Sequence, residues 1–168
     1  MPACQPESRC VALRLAASCV HIATLVAALM LAACASPPKP TLVAASLHAG
    51  TALNPDARKR ASPLVVRLYE LKSTAAFDTA DFVSLYERDR ATLAADMAAR
   101  EEFVLRPGET LKWDKTVAAD TKFIGVMAAF RDIERARWKS VVAIKPGVLN
   151  KITVHAEDVG IAASLDKP

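Results

Sequence analysis

Ser62-Pro63-Leu64-Val65-Val66-Arg67-Leu68-Tyr69-Glu70-Leu71 decides the fold. Leu64, Val66 and Leu68 alternate with Val65, Arg67 and Tyr69, which is the period of a β-strand. Pro63 stands at the strand start, where a missing N–H is tolerated. The same pattern recurs downstream. Phe103 and Leu105 share one face of Glu101–Leu105, and Leu111, Trp113 and Val117 share one face of the next segment. Arg106-Pro107-Gly108-Glu109 between them reads as a turn. Phe123–Phe130 is nearly all apolar, as a central strand would be. Trp138, Ser140, Val142 and Ile144 alternate with Lys139, Val141 and Ala143, and the turn Lys145-Pro146-Gly147 follows. Ile152 and Val154, then Val159, Ile161, Ala163 and Leu165, give the last two strands. With Thr41–His48 upstream, the pattern predicts an all-β fold, a two-sheet antiparallel β-sandwich of about eight strands. One stretch departs from it. Phe82, Leu85, Tyr86, Leu93 and Met97 recur at helical spacing, which predicts a small helical insertion over about 78–100. Asp78, Thr79 or Asp81 is its expected cap, and Asp89 its expected dividing point.

Upstream of the deciding strand, Gly50–Ser62 is longer than an ordinary hairpin connection. It carries Asn54-Pro55-Asp56 and then Arg58-Lys59-Arg60. The residues of Asn54–Arg60 read as polar, and none alternates as core. Removal of Asn54–Arg60 is therefore expected to leave the fold intact, and a protruding loop of this kind suits protein recognition. Residues 34–40 read as a tether. Ala35-Ser36-Pro37-Pro38-Lys39-Pro40 prefers extended polyproline II, at about 3.1 Å per residue. Before it, Arg9 and Arg14 precede an apolar stretch, Leu15–Met30, and then Leu31-Ala32-Ala33-Cys34. Basic residues, an apolar run and small residues are the parts of an export signal. Followed at once by Cys34, they resemble the lipobox of bacterial lipoproteins. That resemblance implies a signal peptide over 1–33 and a covalent diacylglycerol and N-acyl chain on Cys34. The sandwich domain would then span 41–168. Residue 35 is Ala rather than Asp, and resemblance to the sorting rule of enterobacterial lipoproteins then implies the outer membrane.

The four cysteines, Cys4, Cys10, Cys19 and Cys34, all lie at or before position 34. The domain after them holds no further thiol, so disulfides and a thiolate-bound metal are excluded there. The formal charge is +4, and residues 1–33 contribute Arg9, Arg14 and Glu7, leaving +3 beyond them. This mild excess, without a basic stripe interleaved with aromatics, does not point to nucleic acid. His48 and His155 have no nucleophile motif around them, and five glycines leave little material for a phosphate loop. Glu101 and Glu102 point to opposite faces of a strand and cannot work as an acid/base pair. No enzyme, no cofactor, no metal and no small-molecule substrate are expected. Trp113, Phe130 and Trp138 are expected in the core.

Taken together, several stretches resemble the outer-membrane lipoprotein of type VI secretion systems, the TssJ (VasD-type) family. They are the Cys34 lipobox, Asn54-Pro55-Asp56, Ser62–Leu71, Phe77, Ala80-Asp81-Phe82, Leu85, Leu93 and Asp96. Leu105–Glu109, Ala128–Asp132 and Trp138 complete the set. The resemblance implies a transthyretin-like sandwich with added helices. It implies a non-enzymatic protein, lipid-anchored on the periplasmic face of the outer membrane. Such a protein binds the periplasmic C-terminal domain of the TssM-like inner-membrane protein through the loop between its first two strands. Here that loop supplies Asn54, Pro55, Asp56, Ala57, Arg58, Lys59 and Arg60. The family often has Gly where Lys59 stands and Pro near Ala61, and this chain departs from it at both places. The alternative reading is a periplasmic carrier that holds a small ligand between its sheets.

Overall fold

Leu64–Leu71 forms strand β2, and both of its faces are covered. Leu64, Val66 and Leu68 point to one side and Tyr69 and Leu71 to the other, and all five are at most 1% exposed. The apolar residues on both sides of the alternation therefore have separate destinations. The computed structural model describes residues 39–166. The readings of 1–33, of Cys34 and of the tether up to Pro38 lie outside the described residues.

Eight strands form two sheets. β1 (Thr41–Ala49), β4 (Thr110–Val117), β7 (Leu149–Glu157) and β8 (Gly160–Leu165) make one, in the order β4-β1-β7-β8. β2, β3 (Met97–Leu105), β5 (Phe123–Ala128) and β6 (Lys139–Ala143) make the other, in the order β3-β2-β5-β6. All pairings are antiparallel except β1 with β7, which is parallel. A parallel neighbour requires a long crossover, and the whole second sheet lies in the chain between these two strands. The space between the sheets is filled by side chains from both, among them Val43, Leu47, Leu64, Leu68, Trp113, Val126, Phe130, Ile152 and Ile161.

The helical insertion covers the outer face of the β2 sheet. Helix α1 (Ala75–Thr79) and helix α2 (Phe82–Leu93) bury Phe77, Leu85 and Leu93 against Tyr69, Leu71 and Met127. Asp81 caps α2 by accepting a hydrogen bond from the Ser84 N–H at 2.9 Å. The helix breaks at Arg88, where φ is −136°, one residue before the expected division at Asp89. It also ends earlier than its spacing suggested. Met97–Arg100, read from the sequence as helix, are the first residues of β3 and pair with Tyr69–Leu71. Ala98, Ala99 and Arg100 favour helices intrinsically, and the free edge of β2 overrides that preference.

Two ionic clusters tie the layers. Glu101 faces the opposite sheet, accepting from Trp113 Nε1 at 2.9 Å and from Lys115 Nζ at 2.7 Å. Lys115 also meets the buried Glu70 carboxylate at 2.9 Å. Glu102 faces the other way, toward Arg67 at 2.7 Å. Arg67 in turn donates to the carbonyls of Leu85 and Tyr86 where α2 breaks. Trp113 and Phe130 are core residues at 6% and 4% exposure. Trp138 is not: it is half-buried at the junction of the two apolar clusters. It precedes the edge strand β6, so neighbours cover it from one side only. The edge of the Phe82 ring and the Lys139 ammonium supply that cover.

Candidate functional site

Strand β1 runs the length of the sandwich and ends at Ala49, where four connections gather. The Ala49 N–H donates to Glu109 O in the β3–β4 turn, and the Gly50 N–H donates to Ala156 O on β7. The Asn54 N–H donates to Asp158 O in the β7–β8 turn at 2.8 Å. The Asn54 side chain reaches both ways, donating to Pro63 O at 2.9 Å and accepting from the Arg131 N–H at 2.9 Å. The long β1–β2 loop is thus tied to the β5–β6 connection, the β7–β8 turn and its own exit strand.

The loop has a buried base and an exposed tip. Leu53 is fully buried and Asn54 is 4% exposed. Asn54 also has φ of +48°, the left-handed region that Asn tolerates better than most residues. Asn54 is therefore a structural residue of the loop rather than part of its displayed surface. Removing Asn54–Arg60 as a unit would leave Pro63 O and the Arg131 N–H without partners, contrary to the expectation that the segment holds no structural residue.

The tip is organised by one carboxylate. Asp56 accepts from the N–H groups of Arg58 and Arg60 and from Arg60 Nε, all at 2.8–2.9 Å. Its backbone closes the turn through Asp56 N–H to Arg60 O and Lys59 N–H to Asp56 O. The hydrogen bonds from Arg60 hold the Asp56 carboxyl below its ordinary value, with smaller help from the Arg58 N–H and the charge of Arg131. Lys59 sits at φ +61°. Ala57, Arg58, Lys59 and Arg60 are exposed. Arg60 spends its charge on Asp56, at 2.7 Å, whereas Arg58 and Lys59 form no ion pair among the described residues.

Beside the tip lies a solvent-open groove. Pro55, Asp56 and Lys59 of the loop line it together with Arg131, Asp132 and Arg135 of the β5–β6 connection and Asp158 and Val159 of the β7–β8 turn. Arg135 pairs with Asp132, which lowers the Asp132 carboxyl and raises the Arg135 guanidinium. Sequence reading did not place Arg131, Arg135 or Asp158 beside the loop. The available signal was the charged run Arg131–Arg135, which follows a buried strand and so had to be a connection at a sandwich end. The histidines stand outside this site. His48 and His155 stack at 5.4 Å between ring centroids on neighbouring strands, and His48 Nδ1 is 3.1 Å from Thr110 Oγ1. Among the described residues, no group of three His, Cys, Asp or Glu is placed to hold a metal.

At the opposite end of β1 the chain leaves toward Cys34. Lys39 lies against the β6–β7 turn, 3.5 Å from the position a Cβ would take on Gly147. Thr41 Oγ1 accepts from the Gly147 N–H, and the Leu42 N–H donates to Val148 O. The Asn150 side chain binds Leu42 O, Val148 O and both backbone groups of Lys145. Nine residues of β1 separate this end from the loop, roughly 25–30 Å.

Comparison with known proteins agrees with this arrangement. The family model for type VI secretion lipoproteins, which include VasD, EvfM and TssJ, matches residues 41–159. The fold is similar to the crystal structure of the T6SS lipoprotein TssJ1 from Pseudomonas aeruginosa. That match has 35% identity and a TM-score of 0.73, and covers 79% of this chain and 99% of that one. A chain in a structure described as a type VI membrane complex matches at 27% identity and TM-score 0.64, covering 75% of this chain and 98% of that one. A chain in a structure described as the T6SS protein TssM C-terminal domain from EAEC matches at 25% identity and TM-score 0.60. It covers 76% of this chain and 98% of that one. No curated protein sequence matches the chain.

Proposed function

Since the chain belongs to the type VI secretion lipoprotein (TssJ) family, we propose that it is a non-enzymatic anchor on the periplasmic face of the outer membrane. It is held there by acyl chains on Cys34 and binds the periplasmic C-terminal domain of a TssM-like inner-membrane protein. One observation carries this reading. The chain leaves toward Cys34 at one end of a filled sandwich, and a braced, charged loop stands at the other. A lipid on Cys34 and a partner on the loop would pull on the two ends of β1. The similarity to chains in structures described as a type VI membrane complex and as a TssM C-terminal domain supports the same partner class.

The recognising surface is the exposed tip, Pro55–Arg60, with Arg58 and Lys59 as its free cations. Arg131 and Arg135, which also line the groove, complete it. Packing between the sheets by Leu47, Leu68, Val126 and Val154, each at most 1% exposed, favours the anchor over a carrier with its ligand between the sheets.

Membrane attachment is tested by mass. Exported chain is expected to carry acyl chains on an N-terminal Cys34, and Cys34→Ser is expected to abolish processing. Mature protein with an unmodified Cys34 contradicts the reading. Partner binding is tested by calorimetry against the periplasmic part of a TssM-like protein.

A further inference from the structure

The outward face of strands β4, β1 and β7 carries polar or small side chains with one exception. Its side chains are Thr110, Lys112, Asp114 and Thr116 on β4, Ala44, Ser46 and His48 on β1, and Lys151, Thr153 and His155 on β7. Leu42 and Leu149, paired in register, are the exception, at 40% and 52% exposure. Val148 adjoins them at 48%. All three lie at the end where the chain leaves toward Cys34. Exposed Lys39, Lys145 and Lys151 adjoin them, and exposed Lys122 lies at the same end on the other sheet. None of these four ammonium groups is in an ion pair among the described residues. The carboxylates at this end include Asp120, taken by Lys72 at 2.9 Å, Asp166, accepting from Thr153 Oγ1, the buried Glu70, taken by Lys115 at 2.9 Å, Asp96 and Asp114.

We propose that this end of the sandwich docks on an anionic phospholipid leaflet, with Leu42, Val148 and Leu149 seated among the headgroups and the four lysines over their phosphates. The proposal rests on the reading of Cys34 as the acylated residue. Five peptide links join Cys34 to Lys39 and span at most about 18 Å, so an acylated Cys34 would confine this end close to the bilayer. Apolar side chains with lysines beside them suit an interface in which acyl chains begin under charged headgroups. Docking would fix the loop roughly 25–30 Å out along β1, pointing into the periplasm.

The test uses full chain, exported, purified and reconstituted into vesicles of phosphatidylethanolamine and phosphatidylglycerol. A nitrobenzoxadiazole fluorophore is placed on Leu149→Cys, or on Ala57→Cys at the loop end. Spin-labelled phospholipid is expected to quench the first and not the second. Lys122→Glu with Lys145→Glu is expected to remove the quenching, each reversal weakening docking more than about fivefold. The variant is expected to float with vesicles and melt normally. Chain that floats with an unquenched probe at position 149 overturns the proposal, and so does quenching indifferent to the reversals. If mass shows Cys34 unmodified and the chain does not float, the anchoring reading fails by itself. The probe then decides docking separately: quenching on phosphatidylglycerol vesicles retains it, and its absence overturns it.

Discussion

Lys59 occupies a left-handed conformation, φ +61°, at the position where the resembling family often has Gly. A side chain there costs about 1–2 kcal/mol, part of which Gly returns as entropy lost on folding. Lys59→Gly is therefore expected to be neutral or stabilising by up to about 1 kcal/mol, and Lys59→Val to destabilise, in urea melts. Asn54 behaves oppositely. Asn54→Ala removes two part-buried hydrogen bonds and strands the Arg131 N–H and Pro63 O, at a cost of about 2–3 kcal/mol. Arg58→Ala, on the exposed tip, is expected to stay within about 0.5 kcal/mol. Sequence could locate this loop by length and composition. It could not separate Asn54 from its neighbours, because the groups Asn54 joins lie 9 and 77 residues away. Tyr69 gives a pH signature. Burial, the largest cause, pushes its phenol up to about 12. The unfolded chain ionises near pH 10. This contribution to stability is therefore full below pH 10 and is lost as pH rises toward 12. Ultraviolet titration should show one of the two tyrosines ionising near pH 12, and Tyr69→Phe should lack that step.

At the scale of elements, the helical insertion depends on two features of the sheet beneath it. Arg67 holds the break in α2 through the carbonyls of Leu85 and Tyr86 and lies 4.8 Å from the Tyr86 ring centroid. It also meets Asp89 at 3.6 Å. Arg67→Ala leaves Asp89 with Arg100 as its remaining cation, strands the Leu85 and Tyr86 carbonyls, and is expected to cost about 2–3 kcal/mol. Hydrogen exchange should rise first in Phe82–Leu93 rather than in β1 or β7. Gly125 is the second feature. A Cβ there would lie 2.8 Å from Leu71 Cδ1 and 3.1 Å from the Phe77 ring, so Gly125→Ala is expected to cost about 1–3 kcal/mol. The strands were legible because alternation survives wherever one face meets the opposing sheet. β3 was mistaken for helix in its first four residues because its identity comes from pairing with β2, a long-range contact that no local period carries. Trp138 was misplaced for a related reason: alternation assigns a face but cannot reveal that the strand after it is an edge. Phe130→Ala is accordingly expected to cost more than Trp138→Ala, with only the former reaching about 3–5 kcal/mol.

At the scale of the whole molecule, one axis organises the chain. Sequence order puts Lys39 and Gly50 at opposite ends of β1, and every other connection sorts to one end or the other. That sorting brings Arg131 and Arg135 to the loop and Val148 and Leu149 to the exit of the tether. The family was legible from motifs spread across the chain. The groove was not, because its walls come from segments more than 70 residues apart that only the closed sandwich unites. The account's central claim is that the loop tip is the surface that grips the partner. It is tested most directly by calorimetry of Arg58→Glu with Lys59→Glu against the periplasmic domain of a TssM-like protein, beside a thermal melt. The account predicts an unchanged melt and an affinity lowered at least about tenfold, as expected for reversing exposed cations within a recognising surface. Unchanged affinity with the same normal melt would contradict it and put the interface elsewhere on the sandwich.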